Sequence, residues 1–249
     1  MCRYNMFLLK LLKTFPFFHN LAGTILSIIS PIIEHNFAKY QAIKRALYLT
    51  ALEKIDGDYL EFGVFTGGSL IFATKAEKRL SWVNKTDTKF YGFDSFQGFG
   101  EAKPIEHHPF YKDDIFAVDF GKVRRNIERN TRGSTVHLVK GFFSETLDDR
   151  SPASYGIGRA KVIFIDCDLK SPALAALSFC QSLIQEGTVL ILDDYFSYKG
   201  NPDLGISGAF REFKEKFPKF VWRRLFHYGY LGQVFICASI TPSIGRKGF

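Results

Sequence analysis

The chain has 249 residues, of which 46% are hydrophobic and 23% charged, so it can build a core and has a length typical of one α/β domain. Its formal net charge is +8, but the basic residues are scattered, and the aromatic-interleaved basic stripe of a nucleic-acid-binding protein is missing, so no nucleic-acid partner is expected. The four cysteines form no CxxC pair and no disulfide framework, which favours reduced, mostly buried thiols and a cytoplasmic protein.

Residues 1–54 are predicted to form an N-terminal helical segment. Its apolar runs at 6–12 and 21–33 are too short and too interrupted to span a bilayer. Residues 39–54 carry apolar side chains at helical spacing and predict a helix that leads into the domain. Three interpretations of residues 1–33 stay open: a cover over the active site or a subunit surface, a helix lying peripherally on a membrane, and a core helix. The apolar start and the 27 phenylalanines predict a homo-oligomer.

Residues 55–240 are predicted to form one domain, followed by a tail at 241–249. The predicted strands and helices alternate, at 59–64, 70–76 (helix), 90–93, 120–130 (helix), 135–139, 162–165, 172–185 (helix), 188–192 and 210–216 (helix). Because apolar strands alternating with helices indicate a parallel sheet covered on both faces, we expect an α/β, Rossmann-like, doubly wound fold. Two further strands, at 220–226 and 233–238, are expected to close the sheet as an antiparallel pair.

Acidic side chains stand at or near the ends of four predicted strands. They are Glu61, Asp94, Asp166 and the pair Asp193 and Asp194. In an open parallel sheet the carboxyl ends of the strands border the ligand crevice, so these acids are expected to converge there. Their carboxylates would repel one another and titrate abnormally unless a cation joined them.

The first predicted strand runs into a glycine-rich turn at 61–69 that opens a helix. Its glycines allow a ligand to approach the backbone closely, and the helix N-terminus offers N–H groups to an anion. The lysine of a phosphate-binding loop is missing, since Leu70 follows Ser69, and the spacing differs from that of a dinucleotide fingerprint. Glu61 suits the cationic end of an amino acid that carries a sulfonium, which indicates S-adenosylmethionine. Asp94, at the end of the second strand, is then placed to bind ribose hydroxyls.

Five ordered motifs of this sequence resemble those of the macrocin-type (TylF-like) sugar O-methyltransferases. They lie at 61–69, 94–98, 141–147, 165–169 and 192–195. The resemblance implies a class I S-adenosylmethionine-dependent fold and a Mg²⁺-assisted transfer of methyl to a hydroxyl of a sugar or saccharide-containing small molecule. Residues 170–173 depart from the pattern of the better-known members, so their macrolide-sugar specificity is not carried over.

The resemblance also implies cofactor-binding roles at the matching positions. The residues implied to bind the methionine end are Glu61, Gly63, Thr66, Gly67 and Ser69. Asp94, flanked by Ser95 and Phe96, would bind the ribose, and Gly141 and Phe142 would contact the edge of the adenine. Asp166 would border both the cofactor and the metal. The implied metal ligands are Asp166, Asp193 and Asp194, an all-oxygen set that suits Mg²⁺.

Methyl transfer to an alcohol needs an oxygen that is positioned and activated. A Mg²⁺ ion chelating two neighbouring hydroxyls would lower the pKa of the acceptor and orient it. The candidate catalytic residues are Asp166, Asp168 beside the metal motif, and His107 from the predicted loop at 98–114, with His108 as an alternative base.

Two other functions stay open from the sequence. A nicotinamide-dependent oxidoreductase of Rossmann type also needs a glycine turn and a ribose-binding acid, although Glu61 argues against it. The other is a non-catalytic protein that keeps the methyltransferase fold and associates with membranes, for which the altered loop at 170–173 and the apolar N-terminal segment leave room. Binding of S-adenosylhomocysteine, nicotinamide cofactors and anionic liposomes would separate the three.

Overall fold

The computed structural model of the chain describes residues 20–21, 23–24, 27–84, 87–100, 106, 108–110, 113–148 and 150–241. The helices are α1 Pro31–Leu52, α2 Gly68–Arg79, α3 Asp113–Phe116, α4 Phe120–Asn130, α5 Phe143–Thr146, α6 Lys170–Cys180 and α7 Gly205–Lys216. The strands are β1 Asp58–Phe62, β2 Lys89–Asp94, β3 Thr135–Lys140, β4 Ala160–Ile165, β5 Ile184–Leu192, β6 Phe220–Tyr228 and β7 Gly232–Ile240. Short 3₁₀ turns lie at Pro152–Tyr155 and Tyr198–Gly200.

The seven strands form one sheet in the order β3-β2-β1-β4-β5-β7-β6. Strands β1 to β5 pair in parallel, whereas β7 runs antiparallel between β5 and β6. The strand order reverses between β1 and β4, and at such a switch point the carboxyl ends of the strands border a crevice. The predicted doubly wound α/β sheet with an antiparallel closing strand is therefore confirmed.

Two hydrophobic clusters cover the two faces of the sheet. Helices α6 and α7 pack on one face, and α1, α2 and α4 pack on the other. Because side chains alternate along a strand, Leu60 and Phe62 of β1 face the first cluster while Tyr59 faces the second. Ile43 and Leu47 of α1 are fully buried in the second cluster. The N-terminal helix thus shares a core with the sheet, and this packing fixes which of its side chains reach the crevice.

Several predicted helix boundaries differ from the structure; α1, for example, begins at Pro31 rather than at residue 39. Helix α6 ends at Cys180 and β5 begins at Ile184, whereas the sequence predicted one helix over 172–185. Ile184 pairs with Ala160 ahead of a register shift in the ladder, and Gly187 has a φ of +88° there. Helix α7 begins at Gly205 rather than near 210, because residues 205–209 are buried and tertiary packing overrides their weak helix propensity.

The cysteines that the structure describes, Cys167, Cys180 and Cys237, are buried free thiols, as predicted, and Cys2 lies outside the described residues. Within the described part of the chain, no helix combines the length and the apolar character that crossing a membrane requires. Residues 1–19, 22 and 25–26 lie outside the description. Ile32 and Phe37 of α1 are 60% and 66% exposed. The subunit-surface and membrane interpretations of the N-terminal segment stay predictions.

Candidate active site

A cavity of about 930 Å³ opens at the carboxyl ends of the parallel strands. Its walls come from the segments that follow β1 to β5, and α1 and the turn between β6 and β7 border its outer side. This volume lies at the upper end of the range for ligand sites, which gives room for a cofactor and a second molecule. Several of the predicted cofactor residues line it: Gly63, Thr66, Ser69, Asp94, Ser95, Phe142 and Asp166.

The other predicted cofactor residues lie behind the cavity wall. They are Glu61, Gly67, Phe96 and Gly141. The open sides of the two glycines face the side chains of Ile127 and Thr146. The ring of Phe96 is buried against that of Phe120, with centroids 4.9 Å apart. These four residues shape the wall without forming its surface.

Gly63 follows β1 at a position that only glycine fits. Its φ is +99°, and a Cβ added there would lie 1.8 Å from the carbonyl oxygen of Asp166. Its amide donates to the carbonyl of Phe93 at 2.9 Å. The missing side chain lets the ends of β1 and β4 approach, so the glycine turn and Asp166 share one cavity.

Asp94 ties the glycine turn to the end of β2. Its Oδ2 accepts hydrogen bonds from the amides of Val64 at 2.7 Å and Phe65 at 2.8 Å, and its Oδ1 accepts from the amide of Phe96 at 2.6 Å. A carboxylate has about four acceptor sites, so one remains for a hydroxyl in the cavity. The three hydrogen bonds from backbone amides fix the orientation of the Asp94 carboxylate and therefore the direction of its free acceptor site.

Glu61 lies fully buried beneath the turn. Its Oε1 accepts from the hydroxyl of Ser69 at 2.7 Å, and its Oε2 accepts from the hydroxyl of Tyr59 at 2.8 Å. Burial raises the pKa of Glu61 to about 7, even though both hydrogen bonds and the charge of Lys39 lower it. Glu61 therefore orients Ser69, and it is Ser69 that faces the cavity.

Three carboxylates converge on the opposite side of the cavity. One oxygen from each of Asp166, Asp168 and Asp194 lies within 4.8 Å of the other two. Burial raises the pKa of all three, and repulsion from neighbouring carboxylates raises it further. A buried oxygen set with excess negative charge fits a divalent cation such as Mg²⁺.

Asp193, one of the predicted metal ligands, is occupied by protein donors. Lys39 Nζ lies 2.6 Å from Oδ2, while Oδ1 accepts from the hydroxyl of Tyr228 at 2.7 Å and lies 2.9 Å from His35 Nε2. The amide of Tyr230 donates to His35 Nδ1, so Nε2 carries the ring proton that is donated to Asp193. Burial raises the pKa of Asp193, but Lys39 and His35 outweigh burial and hold it far below its usual value.

Lys39 joins Asp193 to the three converging carboxylates, because its Nζ also lies 2.8 Å from Asp166 Oδ2. Its side chain is only 12% exposed. Burial lowers the pKa of Lys39, but the charges of Asp166 and Asp193 outweigh burial and hold it well above its usual value. The cavity therefore has a permanent cation among its acids.

Backbone strain is concentrated around the cavity. The non-glycine residues with positive φ in the described part of the chain are Lys54, Phe65, Phe96, Asp168, Asp194, Tyr198 and Lys199. All except Lys54 lie in segments that follow β1, β2, β4 or β5. Strained backbone of this kind is typical of functional sites, where neighbouring structure holds a side chain in a required direction.

The predicted catalytic residues have different outcomes. Asp166 and Asp168 both line the cavity, whereas His107 lies outside the described residues. The alternative, His108, lines the cavity with its ring 5.0 Å from that of Tyr198. Asp168 is a base candidate with an oxygen within 4.8 Å of oxygens of Asp166 and Asp194.

Three residues of the site, Lys39, His35 and Tyr228, were not predicted from the sequence. A signal for the first two was present, since they stand at i, i+4 spacing on the helix face that carries Ile43 and Leu47. A cation on the buried face of a helix needs an anionic partner. Tyr228 offered no comparable signal, because its position depends on how the antiparallel strands pair.

Comparison with known proteins identifies relatives of the chain. The family model described as Macrocin-O-methyltransferase (TylF) matches residues 31–216. A Streptomyces olivaceus protein named 8-demethyl-8-(2,3-dimethoxy-alpha-L-rhamnosyl)-tetracenomycin-C 4'-O-methyltransferase is 30% identical over 148 residues, which cover 57% of this chain and 54% of that protein. Mycinamicin III 3''-O-methyltransferase of Micromonospora griseorubida is 26% identical over 150 residues, covering 57% and 56%. The chain thus spans about half the length of these relatives.

Solved structures share the fold. The O-methyltransferase NovP superposes with a TM-score of 0.66 at 23% identity, covering 82% of this chain and 80% of NovP. The calicheamicin methyltransferase CalS11 superposes with a TM-score of 0.65 at 18% identity, covering 81% and 79%. At these identities the likeness concerns the fold, and the strand order with an antiparallel β7 is the class I methyltransferase topology.

Proposed function

The chain belongs to the macrocin O-methyltransferase (TylF) family, and on that premise we propose that it transfers the methyl group of S-adenosylmethionine to a hydroxyl of a sugar or saccharide-containing small molecule. The observation that carries the proposal is the single cavity that joins the glycine turn to the converging carboxylates. Family membership favours this function over a nicotinamide-dependent oxidoreductase.

The glycine turn would hold the methyl donor. The first N–H groups of α2 are suited to the carboxylate of the methionine part. The hydroxyl oxygen of Ser69, whose proton goes to Glu61, can accept a hydrogen bond from the ammonium group of the same part. The remaining acceptor site of Asp94 is suited to a ribose hydroxyl, and the ring of Phe142 offers an apolar surface to adenine. Glu61 would act through Ser69 without touching the cofactor.

The acceptor hydroxyl would lie between the sulfonium and the carboxylates. As its oxygen bonds to the methyl carbon, the carbon–sulfur bond breaks and its electron pair returns to sulfur, leaving neutral S-adenosylhomocysteine. The hydroxyl proton passes to a carboxylate oxygen of Asp168, which lines the cavity beside Asp166 and Asp194.

A Mg²⁺ ion would fit the oxygens of Asp166, Asp168 and Asp194, and when bound it would lower the pKa of the acceptor hydroxyl. In that arrangement one oxygen of Asp168 belongs to the cation site and the other receives the proton. Relatives named for rhamnosyl and mycinamicin substrates support a saccharide acceptor for this chain.

Calorimetry with S-adenosylhomocysteine tests the donor part of the proposal. We expect binding by the wild type and at least about tenfold weaker binding by Asp94→Ala, a loss of about 1.4 kcal/mol. The exposed Asp87→Ala is the matched control and should bind like the wild type. No binding by the wild type would contradict the proposal.

Mass spectrometry tests the acceptor part. Protein with S-adenosylmethionine is offered TDP-rhamnose, the acceptor named for a structurally similar enzyme, and rhamnosyl and macrolide glycosides. We expect an acceptor that gains one methyl group, faster with Mg²⁺ than with a chelator. Cofactor binding without transfer to any sugar would favour the non-catalytic alternative.

A further inference from the structure

We infer that the ammonium group of Lys39 replaces one cation among the acids of the cavity. A divalent ion then binds beside it on Asp166, Asp168 and Asp194, while Asp193 keeps its partners within the protein. The inference rests on the proposed function, because it concerns the acids that face the acceptor. Lys39 is a positioning residue here, since it acts through Asp166 and Asp193.

The ammonium group of Lys39 lies between two carboxylates. Lys39 Nζ lies 2.8 Å from Asp166 Oδ2 and 2.6 Å from Asp193 Oδ2. These are contact distances for a charged hydrogen bond, so Nζ occupies the space that an ion bridging the same two oxygens would need. A divalent ion that bridged Asp166 and Asp193 would have to displace Lys39.

Both carboxylate oxygens of Asp193 already have partners within the protein. Lys39 serves one of its oxygens, and Tyr228 and His35 serve the other. The carboxylate is 2% exposed, and breaking a buried pair leaves an uncompensated charge that is expensive. Displacing Lys39 would place that uncompensated ammonium next to a divalent ion.

Lys39 compensates only part of the negative charge in the cavity. Four carboxylates, those of Asp166, Asp168, Asp193 and Asp194, meet one lysine, so three negative charges are left after Lys39 is counted. The oxygens of Asp166, Asp168 and Asp194 lie close enough together for one ion. A divalent cation therefore still fits on these three oxygens without Asp193 as a ligand.

The packing of α1 in the core holds Lys39 in position. Helix α1 buries Ile43 and Leu47 in the core cluster, and these residues lie one and two turns beyond Lys39 on the same face. His35 lies one turn before it and is fixed by the amide of Tyr230. The helix thus delivers the ammonium from a rigid element, and a core helix outside the strand–helix units becomes part of the site.

Titration with Mn²⁺, followed by the electron paramagnetic resonance signal of the free ion, tests the inference. We expect Lys39→Met to bind Mn²⁺ at least tenfold more tightly than the wild type, because the change removes a positive charge that contacts Asp166 and frees Asp193 as a ligand. Lys44→Met makes the same change at an exposed position of the same helix and should leave binding unchanged. Equal or weaker binding by Lys39→Met would overturn the inference.

A second pair of variants does not depend on Lys39→Met folding. Asp168→Asn should weaken Mn²⁺ binding at least tenfold, and Asp193→Asn should alter it less than threefold. The reverse pattern, or no Mn²⁺ binding by any variant, would overturn the inference. Circular dichroism checks that each variant is folded. Because S-adenosylhomocysteine binding is measured separately, failure of the proposed function would appear there and leave the Mn²⁺ result interpretable.

Discussion

The two sides of the cavity are built by different physical means. The donor wall, formed by residues 63–69 and Asp94, is held by backbone hydrogen bonds and by the close approach that Gly63 permits. The acid wall, formed by Asp166, Asp168, Asp193 and Asp194 with Lys39, is held by buried charges. The donor wall should therefore be sensitive to added atoms, and the acid wall to altered charge.

The two walls also differ in how far apart their partners lie in the sequence. On the donor wall, Val64 and Asp94 are 30 residues apart. On the acid wall, Lys39 and Asp166 are 127 residues apart, and His35 and Asp193 are 158 apart. Two short motifs, at 61–69 and 94–98, can describe the first wall, whereas the second requires the complete tertiary fold.

Gly63→Ala should break the donor wall and give the largest effect. The new Cβ would meet the carbonyl oxygen of Asp166 at 1.8 Å, a backbone atom that cannot turn aside, and the φ of +99° disfavours alanine as well. We expect a loss of more than about 4 kcal/mol in the free energy of unfolding, measured with urea. The control is Gly158→Ala, where no atom lies within 4 Å and the effect should be below about 0.5 kcal/mol. Comparable losses in both variants would mean that close approach does not build this wall.

Asp193→Asn should break the acid wall with almost no change in side-chain volume, because the amide is uncharged and replaces one acceptor oxygen by a donor. Removing one member of a buried ion pair leaves Lys39 undercompensated, so we expect a loss of about 3 kcal/mol in urea unfolding. The matched control is Asp203→Asn, whose partner Arg211 is 47% exposed, and its loss should stay below about 1 kcal/mol. The double variant with Lys39→Met should lose less than the sum of the single losses. Additive losses would show that the two residues are not a unit.

This contrast explains how much of the molecule the sequence could predict. The strand–helix order, the glycine turn and the acids at the strand ends were predictable, because periodic apolar residues, glycines and local spacing indicate them directly. The early start of α7 was not, since residues 205–209 form a helix only through burial. Local patterns therefore predicted which residues of the donor wall lie together, and their cofactor-binding roles stay predictions.

The acid wall shows why the remainder escaped prediction. The sequence placed Asp193 at a strand end, and the spacing of His35 and Lys39 indicated a need for an anionic partner, but no short segment identified Asp193 as that partner. These contacts depend on how α1 crosses the sheet and on how β6 pairs with β7, which no short window encodes. The proximity of Asp168 to Asp194 depends on the strained backbone of the turns after β4 and β5, which the sequence does not indicate.

Glu61→Gln tests the buried acid that lies beneath the donor wall and orients Ser69. Burial raises its pKa from 4.5 to about 7, so the folded protein keeps a proton that the unfolded chain releases. The stabilisation is complete below pH 4.5 and is lost as the pH rises to about 7, a fall of up to about 3 kcal/mol in the free energy of unfolding.

Urea unfolding from pH 4.5 to pH 8 measures this fall, and the curve of Glu61→Gln should lack it. The raised pKa values of Asp166, Asp168 and Asp194 give a fall of the same sign in both proteins, so the difference between the two curves isolates Glu61. The exposed Glu53→Gln is the control and should follow the wild type. A difference that stays constant with pH would mean that Glu61 remains ionised in the folded protein. The donor wall would then depend on charge compensation, as the acid wall does, and Lys39 would be the cation that reaches both.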